Sequence, residues 1–182
     1  MAPNPELNPV AELPGGGIRK ACISDLDVIV QLYDKARAEM RRQGNLTQWP
    51  GTYPGRDNAL ADLEAGTLYV NDSVTAVMTL AAGPDPTYAR IRQGSWLDED
   101  SYSVIHRIVS TQPGQGRALL QYAMDTAGHI RIDTHRKNRS MLRLLEKLGF
   151  RHCGVITCQD GTDREAFEWS SKPGRPGDDE AD

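Results

Sequence analysis

Residues 103–124, SVIHRIVSTQPGQGRALLQYAM, pass from β-branched residues through a proline and two glycines straight into an amphipathic pattern. That order dictates a strand, a tight turn and a helix, since Leu119, Tyr122, Ala123 and Met124 recur at helical spacing after the break. The turn also raises a chemical question. Gly114 and Gly116 are wanted by the turn itself, but they equally remove the Cβ atoms that would keep an anion away from backbone N–H groups at a helix start.

The rest of the chain repeats this mixture. A first strand is expected at 18–22, then a helix capped by Ser24 and running to about Gln43, with Ile29, Tyr33, Ala36 and Met40 on its apolar face. The following NLTQWPGTYPGRD is too rich in Pro, Gly and Asn for regular structure and carries Trp49 and Tyr53. A short helix over NALADLEAG precedes a hairpin, TLYV-NDS-VTAVMTL, and a loop then leads to the strand at 103–110. After the glycine turn come a helix, a strand IRID, and a helix NRSMLRLLEKLG with Met141, Leu144, Leu145 and Leu148 on one face. Two short strands near HCGVI and REAFEW close the pattern. Strands around single helices, joined by both hairpins and crossovers, indicate an α/β (α+β) domain, with a mixed central sheet of six to seven strands and about four helices.

With 182 residues, 38% of them hydrophobic, the chain suits one domain, expected at 18–170. Residues 1–17 and 171–182 are Pro/Gly-rich and polar and are expected to be flexible tails. The net charge of -4 comes from those tails, and the body is neutral. A neutral body argues against nucleic acid as a partner. No apolar run is long enough for a membrane helix and no signal sequence is visible, so a cytoplasmic protein is expected. Cys22, Cys153 and Cys158, with only His152 nearby, lack the spacing of a zinc site, and no metal is expected.

The glycine turn has neither the Gly-Lys-Ser/Thr ending of an ATP loop nor the three glycines of a dinucleotide loop. In its order of elements, however, and in GQGRALL and DTHRKNRSMLRLLEKLGF, the chain resembles the GNAT superfamily of CoA-dependent N-acetyltransferases. GNLTQW, YP, GTLYV and VIHRI extend the likeness over about residues 18–170. The resemblance implies acetyl-CoA as co-substrate. Its pyrophosphate would rest on the amides of Gln112, Gly114, Gln115, Gly116 and Arg117, its pantetheine along residues 106–110 as far as Ser110, and its thioester carbonyl near the backbone N–H of Ile108 or Val109. Asn138 matches the family's Asn that contacts the cofactor or orients water. Two positions depart from the family pattern: Thr111 stands where the loop usually opens with Gln or Arg, and Leu145 where many members place a Tyr that protonates the leaving thiolate.

An attacking amine must shed a proton, and His106 and His135 are the natural bases, with Glu99 and Asp100 as carboxylate alternatives. Trp49, Tyr53 and Trp96 lie in irregular segments and either line an acceptor pocket or cover the core. The basic stripe Arg136, Arg139, Arg143 and Lys147 reads mainly as a solvated helix face. The expected activity is acetyl transfer from acetyl-CoA to a primary amine of a small molecule by direct attack. The alternative is a CoA-binding sensor or interaction module with the same fold and little turnover. A homodimer stays open.

Overall fold

The computed structural model describes residues 17–172; the expected tails, except Gly17, Ser171 and Lys172, lie outside the described residues. Within them, seven strands form one sheet. They are β1 (Ile18–Lys20), β2 (Leu68–Asn71), β3 (Ala76–Ala82), β4 (Ser103–Ser110), β5 (His129–Thr134), β6 (Arg151–Thr157) and β7 (Asp163–Ser170), in the order β1-β2-β3-β4-β5-β7-β6. The helices are α1 (Leu26–Arg42), α2 (Arg56–Glu64), α3 (Gln115–Ala127) and α4 (Arg139–Lys147). Neighbouring strands are antiparallel except β4 and β5, which are parallel because α3 crosses between them.

Each face of the sheet has its own core. On β3, Ala76 and Met78 meet α3 and α4 through Leu119, Leu120, Ala123 and Leu145, while Val77 between them meets α1 and α2 through Ile29, Leu32, Tyr33 and Ala59. This is the two-residue alternation of a strand buried on both sides. A third cluster, Tyr88, Val104, Ile156 and Ala166, lies beneath the connection between β3 and β4. The face that α1 and α2 share is therefore roofed by helices over one half and by a loop over the other.

The start of α1 differs from expectation. Ser24 sits in a 3-10 turn over Ile23–Asp25 and caps nothing. Asp25 organises the entry instead, since its Oδ2 accepts the Cys22 N–H at 2.9 Å and Arg19 Nη1 at 2.7 Å. The hydrogen bond from Arg19 pulls the Asp25 carboxyl down to about 2. After α1, the irregular segment is tied back by arginines: Arg37 donates to Pro54 O at 2.7 Å and Arg41 to Gly51 O at 2.6 Å. The segment holding Trp49 and Tyr53 is thereby fixed although it has no regular structure.

Candidate active site

The sheet forks between β4 and β5. Register pairs join Ser103–Ile130, Val104–Arg131 and Ile105–Ile132, and the pairing then stops. On its other side β4 carries a bulge, for Val109 pairs with Val77 and His106 with Thr79, which leaves Arg107 and Ile108 without a register partner on β3. Arg107 takes a positive φ of 50°, rare for a side-chain-bearing residue. Asp62 holds it there: Arg107 Nε and Nη2 donate to the Asp62 carboxylate at 2.9 and 2.7 Å, and Nη1 donates to Tyr53 Oη at 3.0 Å. The bulge reverses the alternation of β4. Ile105 enters the core under α3 whereas Val109, four residues on, enters the core under α1.

A cavity of about 430 Å³ opens at the fork. Its walls include Ile105 to Ile108 of β4, Ile132 to Thr134 of β5, Trp49 and Tyr53, Asn138 and Met141, and Cys158 and Arg164. His106 Nε2 lies 2.8 Å from Asp85 Oδ2. That bond, followed by the Thr87 N–H, holds the Asp85 carboxyl at about 2 despite its partial burial. An ionised carboxylate can only accept, so His106 donates through Nε2 and Nδ1 is the ring nitrogen not engaged by Asp85. Beside this pair, Tyr88 Oη donates to Asp133 Oδ1 at 2.7 Å. Burial pushes Asp133 up and Tyr88 far up. Asn138 caps α4, its Oδ1 accepting the Met141 N–H at 3.3 Å.

Where β4 ends, Ser110 leads into the glycine turn, and α3 begins at Gln115 with Gly114 as its cap at φ 81°. A Cβ on Gly116 would come within 3.2 Å of Ser110 Oγ, so the first turn of α3 is close against the strand end. Gln115 is buried, its Nε2 donating to Thr75 Oγ1 at 2.7 Å, and Thr111 N–H bonds Thr75 O at 3.0 Å. The turn is thus braced on the β2–β3 hairpin, while Gly114, Gly116 and Arg117 begin a helix whose first N–H groups have no partner within it.

Of the candidates drawn from sequence, the cavity unites His106, Asn138, Ile108, Trp49 and Tyr53. It does not include His135 or Trp96. His135 lines a separate recess with Thr47, Gln93 and Glu165; its Nδ1 accepts the Lys137 N–H at 3.1 Å, and burial, then Arg164, lowers its pKa. Trp96 stacks under the Arg131 guanidinium, 4.3 Å from the ring centroid, and donates to Tyr88 O at 3.0 Å. Trp96 is held there by Arg131, 35 residues on, whereas the hydrogen bond of His135 is local to its own turn. Trp49 serves two roles, lining the cavity and meeting Tyr33 edge-on with ring centroids 5.9 Å apart. Val109 is buried beneath α1 and does not line the cavity. Asp100 pairs with Lys172 and does not line the cavity. Asp98, His129 and Glu168 are close enough to suggest a cation site, but Arg131 already occupies it, with Nε 2.9 Å from Glu168 Oε1.

No family model matches the sequence, and no curated protein does. Solved structures do match. An acetyltransferase of the GNAT family from Streptococcus agalactiae is 30% identical with a TM-score of 0.77, the alignment covering 86% of this chain and 96% of that one. The chain belongs to the GNAT family of acetyltransferases. A Salmonella typhimurium protein solved with its cofactor acetyl-CoA shares the fold at 19% identity and a TM-score of 0.61, over 86% of this chain and 94% of that one. So does the ribosomal-protein-S18-alanine N-acetyltransferase of Escherichia coli, at 14% and 0.55, over 88% and 97%.

In this GNAT chain, sequence inspection missed Asp85, Tyr88, Asp133 and Arg164. Asp133 had the only local signal, its place beside Thr134 at the end of a strand. Asp85 and Tyr88 lie in the connection before β4, and nothing near them in sequence points to His106. Leu145, at the position where many GNAT members carry Tyr, is fully buried in the core under α4. Among the described residues no helix is long and apolar enough to cross a membrane.

Proposed function

We propose that this acetyltransferase moves an acetyl group from acetyl-CoA to the primary amine of a small molecule, by direct attack of the amine within the cavity at the fork. The observation that carries the reading is the end of β4–β5 pairing at Ile105–Ile132, with a cavity and the His106–Asp85 pair just beyond it. The residues fit the co-substrate. Gly114 at φ 81° and the close approach of Gly116 to Ser110 support a bare cradle at the start of α3, suited to a pyrophosphate. Gln112, Gln115 and Arg117 complete that turn, and residues 106–110 offer the unpaired edge along which the pantetheine would lie. Asn138 stands at the start of α4 on the far side of the same cavity.

Bound acetyl-CoA supplies an activated acetyl thioester. The chain's own part is to deprotonate, orient and polarise. His106 Nδ1 accepts the amine proton while Asp85 fixes the imidazole and stabilises its charged form. The bulge at Arg107 and Ile108 turns backbone away from β3, which suits an N–H at Ile108 or Val109 to the carbonyl oxygen; such a donor is worth about 3 kcal/mol. Leu145 offers no proton, so the departing thiolate takes one from solvent, tolerable for a thiol of pKa about 8.5.

Calorimetric titration with acetyl-CoA, followed by an amine panel scored by CoA release, tests the proposal. The expected result is micromolar binding, weakened at least tenfold by Gly114→Val without loss of folding, together with turnover of small amines. Binding without turnover across the panel and across pH would favour a CoA-binding sensor. No binding would overturn both.

A further inference from the structure

Arg164 is 5% exposed and lines the cavity, on the face of β7 that also carries Ala166 and, across the β6 pairing, Ile156. Every contact of its guanidinium is to a neutral acceptor. Nη1 donates to Thr162 Oγ1 at 2.8 Å and Asp163 O at 2.9 Å, and Nη2 to Thr47 O at 3.0 Å and Gln48 O at 3.4 Å. Among the described residues no carboxylate pairs with it, and its Nε–H has no acceptor. The other guanidinium of the cavity is answered, for Arg107 is neutralised by Asp62. Asp160 also lines the cavity; its carboxylate accepts from Thr162 N–H and Oγ1 at 2.9 and 2.6 Å, and it meets Arg164 through that hydroxyl, not in a direct ion pair.

A buried guanidinium in direct contact with no carboxylate is costly; Asp133 and Asp160 act on Arg164 only through space, and neutral acceptors fix its position without removing that cost. We infer that Arg164 is the anchor for a carboxylate on the acceptor, which makes the acceptor an amino acid or a similar amine bearing a free carboxylate. The inference rests on the transferase reading above and names the substrate class of the same site. Cavity chemistry agrees with a zwitterion. Arg164 offers the positive pole, while His106, backed by Asp85, and Asp133 line the wall that would receive the amine. The α-carboxyl of an N-terminal residue in a protein is already an amide, so protein N-termini would meet an unanswered charge here.

Matched pairs of L-amino acids and their α-amides decide the matter, with acetyl-CoA constant and CoA release as the readout. The expected outcome is kcat/KM at least about tenfold higher for the acids, as charge-assisted hydrogen bonds discriminate. In Arg164→Gln the acid-to-amide ratio falls toward one, and in Arg164→Lys, which keeps the charge but not the fork, it is partly restored. Melting temperature and acetyl-CoA affinity check folding; if Arg164→Gln does not fold, the wild-type ratio and Arg164→Lys decide. Equal use of acids and amides by the wild type overturns the carboxylate assignment and leaves the transferase reading standing. Where nothing turns over, the same pairs are titrated calorimetrically into CoA-saturated protein. Acid-selective binding lost in Arg164→Gln then upholds the carboxylate subsite against the transferase reading, and absence of acid-selective binding overturns both.

Discussion

An imidazole that takes a proton from an amine needs one tautomer and one orientation, and Asp85 Oδ2 at 2.8 Å from Nε2 gives His106 both. His106→Gln is expected to lower kcat/KM by about 100- to 10,000-fold near neutral pH. The loss should shrink as pH rises and the amine sheds its own proton, a trend that a purely structural histidine would not give. Asp85 has a separate acid signature. Its folded-state pKa of about 2 lies below the ordinary 3.8, so its stabilising contribution is complete above about pH 4 and disappears as pH falls toward 2. The gap in melting temperature between the wild type and Asp85→Asn should therefore narrow through that window. His106 could be found in the sequence because its residue type titrates near neutrality and it stands on the central strand. Asp85 could not, because its meaning comes from a chain separation of 21 positions that folds back on itself.

The decisive irregularity at the level of elements is the bulge in β4. Nothing local in HRIVS marks Arg107 for a positive φ; what holds it there is Asp62, 45 residues earlier on α2. By contrast the glycine turn, the helix after it and the apolar face of α4 were legible, since each depends on residues within one turn of one another. Two effects compete at Arg107. Glycine there would relieve about 1–2 kcal/mol of backbone strain. It would also leave the Asp62 carboxylate with only Thr79 Oγ1, at 2.7 Å, and removing one partner of a buried ion pair costs about 3–5 kcal/mol. The side chains of Arg107 and Asp62 are 16% and 12% exposed, so solvent screening is weak and the second effect wins. Arg107→Gly is expected to lose about 2 kcal/mol, a fall in melting temperature of about 4–8 °C for a domain of this size. The double variant Arg107→Gly/Asp62→Leu should recover part of that loss, because the carboxylate that was stranded is gone. A melting temperature raised by Arg107→Gly alone would mean that strain, not charge, dominates the bulge.

At the scale of the molecule the sheet is two half-sheets joined where β4 meets β5. One half carries α1 and α2 on one face, the other lies under the β3–β4 connection, and α3 and α4 span the opposite face. The seven-strand mixed sheet follows from the order of elements, but its fork does not, because a strand's end of pairing is set by what its neighbour does. Past Ile105 and Ile132 the two strands diverge, and their facing backbone groups turn to the cavity rather than to each other. Such groups exchange with solvent more readily than paired ones. Amides of residues 106–110 and 133–134 on the fork side should therefore exchange hydrogen faster than those of 103–105 and 130–132. A ligand lying in the fork would supply the missing pairing and join the halves. At acetyl-CoA one hundred times its Kd, mass action gives about 2.7 kcal/mol, or about 5–10 °C in melting temperature. Exchange within 106–110 should slow in step with that rise, while the edge strands β1 and β6 change little. A rise in melting temperature without local protection at 106–110 would place the ligand elsewhere, and protection confined to residues 112–117 would mean that only the phosphates are held.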